Sequence, residues 1–112
     1  MEVRWVVGIV LGCLILGAIS LFLFFPKEDV ERAKELCIKI CEKSRNVLDL
    51  SNGPCLSDNN PEWNIEDWVC DVAHWPRESV DNRPENQCSA YRHGLAHHFV
   101  EVTPECEFIR AV

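Results

Sequence analysis

The sequence predicts an α+β fold in which an N-terminal transmembrane helix precedes a small disulfide-stapled domain. The domain is expected to pack a long amphipathic helix on a small antiparallel β-sheet. An uncharged apolar run occupies residues 5–25 of the 112-residue chain, and six of its seven cysteines follow that run. Apolar residues after the run recur first with helical and then with strand periodicity. We therefore divide the chain into a transmembrane anchor, residues 1–25, and a small extracytoplasmic domain, residues 26–112.

The apolar run has the length of a membrane-spanning helix. Its 21 residues contain no charge and no proline, and as a helix they match a hydrocarbon core of about 30 Å. A signal peptide is the alternative, with cleavage near Ala18-Ile19-Ser20, but the apolar LFLFF segment would then begin the mature chain. Gly8 and Gly12 form a G-x-x-x-G motif, which favours a weak helix–helix dimer. The run predicts a single-pass integral membrane protein.

The cysteines predict how the domain is held together and where it is located. Six thiols in a small domain behind a membrane segment indicate three disulfide bonds and an oxidising compartment, outside the cytoplasm. The alternative is a reduced domain whose thiols bind metal. The predicted disulfide cysteines are Cys37, Cys41, Cys55, Cys70, Cys88 and Cys106. Fifteen pairings of six cysteines are conceivable, and the sequence does not choose among them.

Residues 28–48 form the predicted amphipathic helix, which the SNGP sequence at 51–54 ends. Cys37 and Cys41 lie one turn apart on its apolar stripe and point the same way. Each is therefore expected to bond to a different downstream segment. The predicted stripe is Val30, Ala33, Cys37, Ile40, Cys41, Ser44 and Val47.

The distal half predicts strands joined by loops. Residues 68–74 alternate with a period of two, which indicates a short strand. Residues 76–87 are polar, contain two prolines and predict a long ordered loop. The arms 88–92 and 96–102 flank Gly94, whose freedom to adopt positive φ suits a tight turn, so a β-hairpin is expected here.

Charge excludes some classes of partner. The formal net charge is −7, and residues 50–112 carry eleven acidic side chains against four arginines. An acidic domain of this kind is unsuited to binding nucleic acid or to lying flat on an anionic membrane.

A histidine-rich stretch near residues 93–98 supplies the candidate site. Imidazole and carboxylate are ligands that zinc accepts. In a strand, however, His97 and His98 point to opposite faces, so a metal site would need further ligands from elsewhere. No catalytic residue is assigned, no cofactor is predicted, and zinc is the one alternative considered. The possible ligand or metal patch is Asp71, His74, His93, His97 and His98.

One block of the sequence resembles a known family. The segments GPCLS, DWVCDVAHWPR, VDNRPENQC and YRHGLAHHFVEVTPEC, within residues 53–106, are similar to a small archaeal family of membrane-anchored, cysteine-rich proteins of uncharacterised function. The resemblance implies no activity, cofactor or catalytic residue. Because intracellular disulfides occur in hyperthermophilic archaea, it weakens the link between cysteines and compartment. It implies that the recurring pattern includes Asp71, His74, Arg77, Asp81, Asn82, Asn86, His97 and His98.

The functional expectation is a binding or structural module rather than an enzyme, with no particular protein partner assigned. A zinc-type metal-binding protein or hydrolase using His74, His93, His97 and His98 is one alternative. A pilin-like filament or oligomer subunit is the other, although no Lys/Arg-Gly processing signal precedes the apolar run.

Overall fold

The computed structural model describes residues 29–112, which form an α+β domain with a three-stranded sheet. The predicted transmembrane helix over 5–25 and its Gly8/Gly12 motif lie outside the described residues. Within 29–112, no helix combines the length and the apolar character needed to cross a membrane.

Helix α1 covers 29–44 of the described chain and packs its apolar stripe on the sheet. Ala33, Cys37, Ile40 and Cys41 are buried at the three- and four-residue steps that place side chains on one helical face. The predicted end at residue 48 is wrong. The helix gives way to a turn at 45–47, and Val47, predicted to be part of the stripe, is 81% exposed.

The sheet is mixed, so the prediction of an antiparallel sheet is wrong. Strands β1 (Trp68–Val72), β2 (His98–Val102) and β3 (Phe108–Ala111) lie in the order β1-β2-β3. β1 pairs parallel to β2, and β2 pairs antiparallel to β3. Parallel strands need a long crossover connection, which residues 73–97 provide.

The predicted hairpin between 88–92 and 96–102 is also wrong. Ser89–Arg92 form a one-turn helix, α2, instead of a strand. The carboxylate of Asp58 accepts hydrogen bonds from the backbone N–H of Ser89, at 3.0 and 3.2 Å, and so satisfies a donor at the start of this turn. Gly94 does adopt a positive φ of 72°, but it ends α2 rather than joining two strands.

The antiparallel partner of β2 is β3, which the sequence prediction missed. The chain reverses through 103–107, where Thr103 accepts from Cys106 through its carbonyl and from Glu107 through its hydroxyl. Pro104 suits this reversal because its fixed φ favours the second position of a turn.

Three disulfide bonds cross-link the domain, as the cysteine count predicts. Cys37–Cys70 joins α1 to β1, and Cys41–Cys106 joins α1 to the turn between β2 and β3. The two helix cysteines therefore do bond to different downstream segments. The third bond, Cys55–Cys88, joins the loop before β1 to the start of α2.

The two faces of the sheet have different coverings. One face buries Cys70, Val72, Val100 and Val102 against α1. On the other face, a smaller apolar cluster packs Val69 of β1 with Cys88 and Ala96 of the 73–97 crossover. This second face positions the candidate site.

Candidate ligand-binding pocket

A pocket of about 520 Å³ opens on the sheet face opposite α1. Its volume falls within the range of about 300–1,000 Å³ that small-molecule sites occupy. We call it the arginine pocket because three arginines border it. It is lined by Val69, Asp71, Arg77, Gln87, Cys88, Tyr91, Arg92, Phe99, Glu101 and Arg110.

Strand register brings the charged residues of the pocket floor together. Asp71 pairs with Glu101 across β1 and β2, and Glu101 pairs with Arg110 across β2 and β3. Because side chains alternate along a strand, these three residues share the face away from α1. Val69 and Phe99, paired two positions earlier, form the apolar part of the same floor.

Glu101 is a buried carboxylate held by two arginines. It is 4% exposed, and its Oε2 accepts from Arg77 Nη1 at 2.9 Å while its Oε1 accepts from Nε of Arg110. Arg77 is itself fixed, because it donates to Asn82 Oδ1 at 2.8 Å and to the Asp81 carbonyl at 3.3 Å. Charge-assisted hydrogen bonds of this kind hold the floor in a defined geometry.

Asp71 is the second acid of the floor, and it has a different environment. Its Oδ1 atom is buried, and no group of residues 29–112 forms a hydrogen bond with it. Burial, reinforced by repulsion from Glu101, raises the pKa of Asp71 to about 8, although Arg77 acts in the opposite direction. At neutral pH the side chain is therefore mainly a neutral carboxyl, which can donate a hydrogen bond.

The rim of the pocket retains unused hydrogen-bond donors. Within residues 29–112, the Arg92 guanidinium on α2 makes no hydrogen bond or ion pair, and Arg110 uses only its Nε. Beside them, Tyr91 and Phe99 pack edge to face with ring centroids 5.1 Å apart. The Arg110 guanidinium lies over the Phe99 ring, 5.3 Å from its centroid. The pocket therefore combines guanidinium N–H donors that are unused within residues 29–112 with an aromatic surface.

His74, from the predicted patch, lies in a separate cluster with Asp81. Asp81 is 2% exposed, and its Oδ1 lies 2.9 Å from His74 Nδ1. Its Oδ2 accepts from the backbone N–H groups of His74 and Glu78. Burial acts to raise the pKa of Asp81, but hydrogen bonds from the Glu78 and His74 backbone and from the His74 ring leave that pKa below its usual value. The cluster fixes the start of the crossover against β1.

The remaining histidines lie elsewhere. Asp67 Oδ1 lies 2.6 Å from His97 Nδ1, and the hydrogen bond with His97 is the main cause that lowers the pKa of Asp67. His98 stacks on Trp68 with centroids 4.7 Å apart, and His93 is exposed at the end of α2. The structure thus places Asp71 in the arginine pocket, His74 beside Asp81, and His97 and His98 beside Asp67. It does not bring the five residues of the predicted patch together.

Within residues 29–112, one group of three metal-ligand atoms lies close together, and it belongs to Cys55, Asp58 and Cys88. Both sulfur atoms are already joined in a disulfide bond, and metal binding to cysteine requires the thiolate. All six cysteines of this part of the chain are paired. The zinc hypothesis gains no ligand set here and stays a prediction.

Sequence reasoning placed Asp71 in a histidine patch and assigned Glu101, Arg92 and Arg110 to no site. A signal for them does exist in the strand sequences. WVCDV and HFVEV each carry one acid, at the fourth position of an otherwise apolar or aromatic strand. Acids interrupting buried strands at matching positions indicate a polar cluster on one face of the sheet.

These features define the class of the molecule as a small disulfide-bonded α+β domain with one charged pocket described on its sheet. Comparison of the chain with models of protein families, with curated proteins and with solved structures gives no match. The archaeal resemblance therefore stays a prediction.

Proposed function

We propose that the domain is a non-catalytic binding module and that the arginine pocket is its ligand-binding site. One observation carries the proposal. Residues 50–112 contain only four basic side chains against eleven acidic ones, yet three of the four, Arg77, Arg92 and Arg110, border one pocket. The fourth, Arg83, is exposed and does not line it.

The charge arrangement supports an anionic ligand. With Asp71 neutral, the three arginines outweigh the single negative charge of Glu101 in the pocket. The acidic surface elsewhere repels anions, so the pocket is the favourable place for a negative group to settle. A concave site with a net charge of one sign concentrates ligands of the opposite sign.

The disulfide bonds support a rigid module working in an oxidising compartment. Cys55–Cys88 fixes the wall that carries Tyr91 and Arg92, while the other two bonds hold α1 to the opposite side of the sheet. A wall fixed in advance lowers the ordering cost of binding. This is consistent with the predicted location outside the cytoplasm.

The test uses the purified full-length protein and ligand-observed NMR with a mixture of small organic acids, amines and neutral compounds. We expect acids to be selected by the wild type and by Arg83→Glu, and to be lost in Arg92→Glu. Both arginines are exposed, so each charge reversal is expected to leave the fold intact, which circular dichroism checks. Selection of no compound by the wild type, or equal binding by the two variants, would refute the proposal.

A further inference from the structure

Resting on the proposed function, a narrower inference concerns the chemistry of the ligand. We infer that the arginine pocket binds a carboxylate joined to an aromatic or similarly apolar group. The inference rests on the Arg92 and Arg110 donors that stay unused within residues 29–112 and that lie beside the Tyr91–Phe99 pair.

The cationic side of the pocket suits a planar anion. A guanidinium presents parallel N–H donors in a fork that matches the two oxygens of a carboxylate. Arg92 offers its whole fork, and Arg110 offers the terminal nitrogens that Glu101 does not engage. Arg77 contributes charge rather than contacts, since its Nε and both terminal nitrogens already donate within the domain.

The acids of the floor favour a single negative charge on the ligand. The Glu101 carboxylate is paired with Arg77 and Arg110, and its field opposes a dianion such as phosphate more than a monoanion. Asp71 adds a carboxyl hydrogen that a carboxylate oxygen could accept while Asp71 is protonated.

The apolar side of the pocket favours an apolar or aromatic group on the part of the ligand beyond its carboxylate. Val69, Phe99 and Tyr91 provide aliphatic and aromatic surface next to the arginines. A ligand ring here can pack edge to face on the same rings that already pack on each other. The volume of about 520 Å³ accommodates a phenyl group with a short acidic side chain.

The experiment compares matched probes on the full-length protein by isothermal titration calorimetry at pH 7.5, where inorganic phosphate is mainly the dianion and Asp71, with a pKa of about 8, is still mainly protonated. We expect 3-phenylpropionate to bind at least about tenfold more tightly than the uncharged 3-phenylpropionamide, because the amide lacks the charge-assisted bonds. Inorganic phosphate at equal concentration is expected to leave the acid bound. Arg92→Ala should lower the affinity for 3-phenylpropionate by at least about tenfold, and Arg92→Lys should lower it less. Arg83→Ala should leave that affinity unchanged.

A second pair of probes identifies the source of the carboxylate. N-acetyl-phenylalanine resembles the carboxyl end of a protein chain, and its amide is the control. Tighter binding of this acid than of 3-phenylpropionate indicates a peptide terminus, and weaker binding indicates a free small acid. Either outcome supports the inference.

The inference fails if the amides bind as well as the acids, if phosphate displaces 3-phenylpropionate, or if Arg92→Ala is without effect. Amides that bind in the pocket as tightly as the acids would refute the inferred preference for a carboxylate, but they would not refute the proposal that the domain is a binding module. A wild-type protein that binds none of the probes would overturn this inference, while the NMR screen would still judge the proposed function.

Discussion

Asp71 and Glu101 occupy directly paired positions on the parallel strands β1 and β2, and both carboxyl groups border the arginine pocket. Two acids this close on a covered sheet face do not ionise together easily. Two arginines pair with Glu101, whereas Asp71 Oδ1 has no hydrogen-bond partner in the part of the chain that the structure describes. With a pKa raised to about 8, Asp71 is therefore mainly neutral at neutral pH, beside a Glu101 side chain that is paired with two arginines.

Asp71 should make the stability of the domain depend on pH. In the unfolded chain an aspartate ionises near its ordinary pKa of 3.8, whereas folded Asp71 keeps its proton up to a pKa of about 8. The folded state binds more protons between these values, so stability falls as pH rises from 4 to 8. In Asp71→Asn this decline should shrink. Between pH 5 and pH 8, the free energy of unfolding of the variant relative to that of the wild type should therefore rise by at least about 1 kcal/mol.

Urea unfolding of the full-length protein at the two pH values measures this change. Glu85→Gln is the control, since Glu85 is an exposed acid outside the pocket and its loss should leave the wild-type slope. Parallel stability curves for the wild type and Asp71→Asn would contradict the assignment of a raised pKa to Asp71.

Glu101→Gln should change both the pocket and its neighbour. Removing the negative charge relieves the repulsion on Asp71, so the pKa of Asp71 should move down from about 8. The variant should also lose about 1–3 kcal/mol of stability, because two charge-assisted hydrogen bonds are weakened. The NMR titration of the Asp71 carboxyl carbon follows the first effect separately from the second. Glu105→Gln, an exposed change, is the control, and an unmoved Asp71 titration would show that the two acids are not coupled.

Gly53→Ala and Gly94→Ala form a matched pair that tests the packing around Asp81. Both glycines have a positive φ, 67° and 72°, so each alanine costs roughly 1–2 kcal/mol of backbone strain. At Gly53 the new Cβ would also lie 2.6 Å from Asp81 Oδ1 and 3.0 Å from the Val72 carbonyl, whereas at Gly94 no atom of residues 29–112 beyond the adjacent ones lies within 4 Å of it. We therefore expect Gly53→Ala to cost at least about 1 kcal/mol more. Thermal unfolding of the two variants decides the point, and equal losses would mean that Asp81 is not held where the structure places it.

The disulfide bonds should contribute unequally to stability. Removing a bond of this kind costs about 2–4 kcal/mol. Cys41→Ser/Cys106→Ser removes a bond that spans 65 residues and puts hydroxyl groups into the core beside α1. The bond removed in Cys55→Ser/Cys88→Ser spans 33 residues, and Cys55 is only half-buried. The first double variant should therefore lose more stability than the second.

Denaturant unfolding of the two double variants compares these losses. Peptide mapping without reduction should recover the pairs Cys37–Cys70, Cys41–Cys106 and Cys55–Cys88 in the wild type. A different pairing, or a melting temperature untouched by reductant, would rule out this mode of stabilisation.

Local sequence patterns predicted the elements that depend on local periodicity. The stripe containing Cys37 and Cys41 gave helix α1, and the alternation after Trp68 gave β1. The hairpin prediction failed because α2 depends on partners far away in sequence. Ser89 is capped by Asp58, 31 residues earlier, and Cys88 is bonded to Cys55. No window of neighbouring residues contains that information.

The site was less predictable than the fold. Arg77, Arg92 and Arg110 are separated by 15 or more residues, and they meet only because β1 and β2 run parallel with a crossover between them. An antiparallel hairpin would have given the strands another register. The acids of WVCDV and HFVEV were visible in the sequence, but their pairing is a property of the sheet.

The crossover between the parallel strands also separates residues that line the pocket from the helix that stabilises the sheet. Segment 73–97 supplies Arg77, Gln87, Tyr91 and Arg92 to the pocket, while α1 and its two bonds to the sheet lie on the opposite side. Exchanging that segment for another of similar length, with Cys88 kept, would therefore alter selectivity without rebuilding the scaffold. The domain is therefore suited to engineering, because replacement of one continuous segment would be enough to change which molecules it recognises.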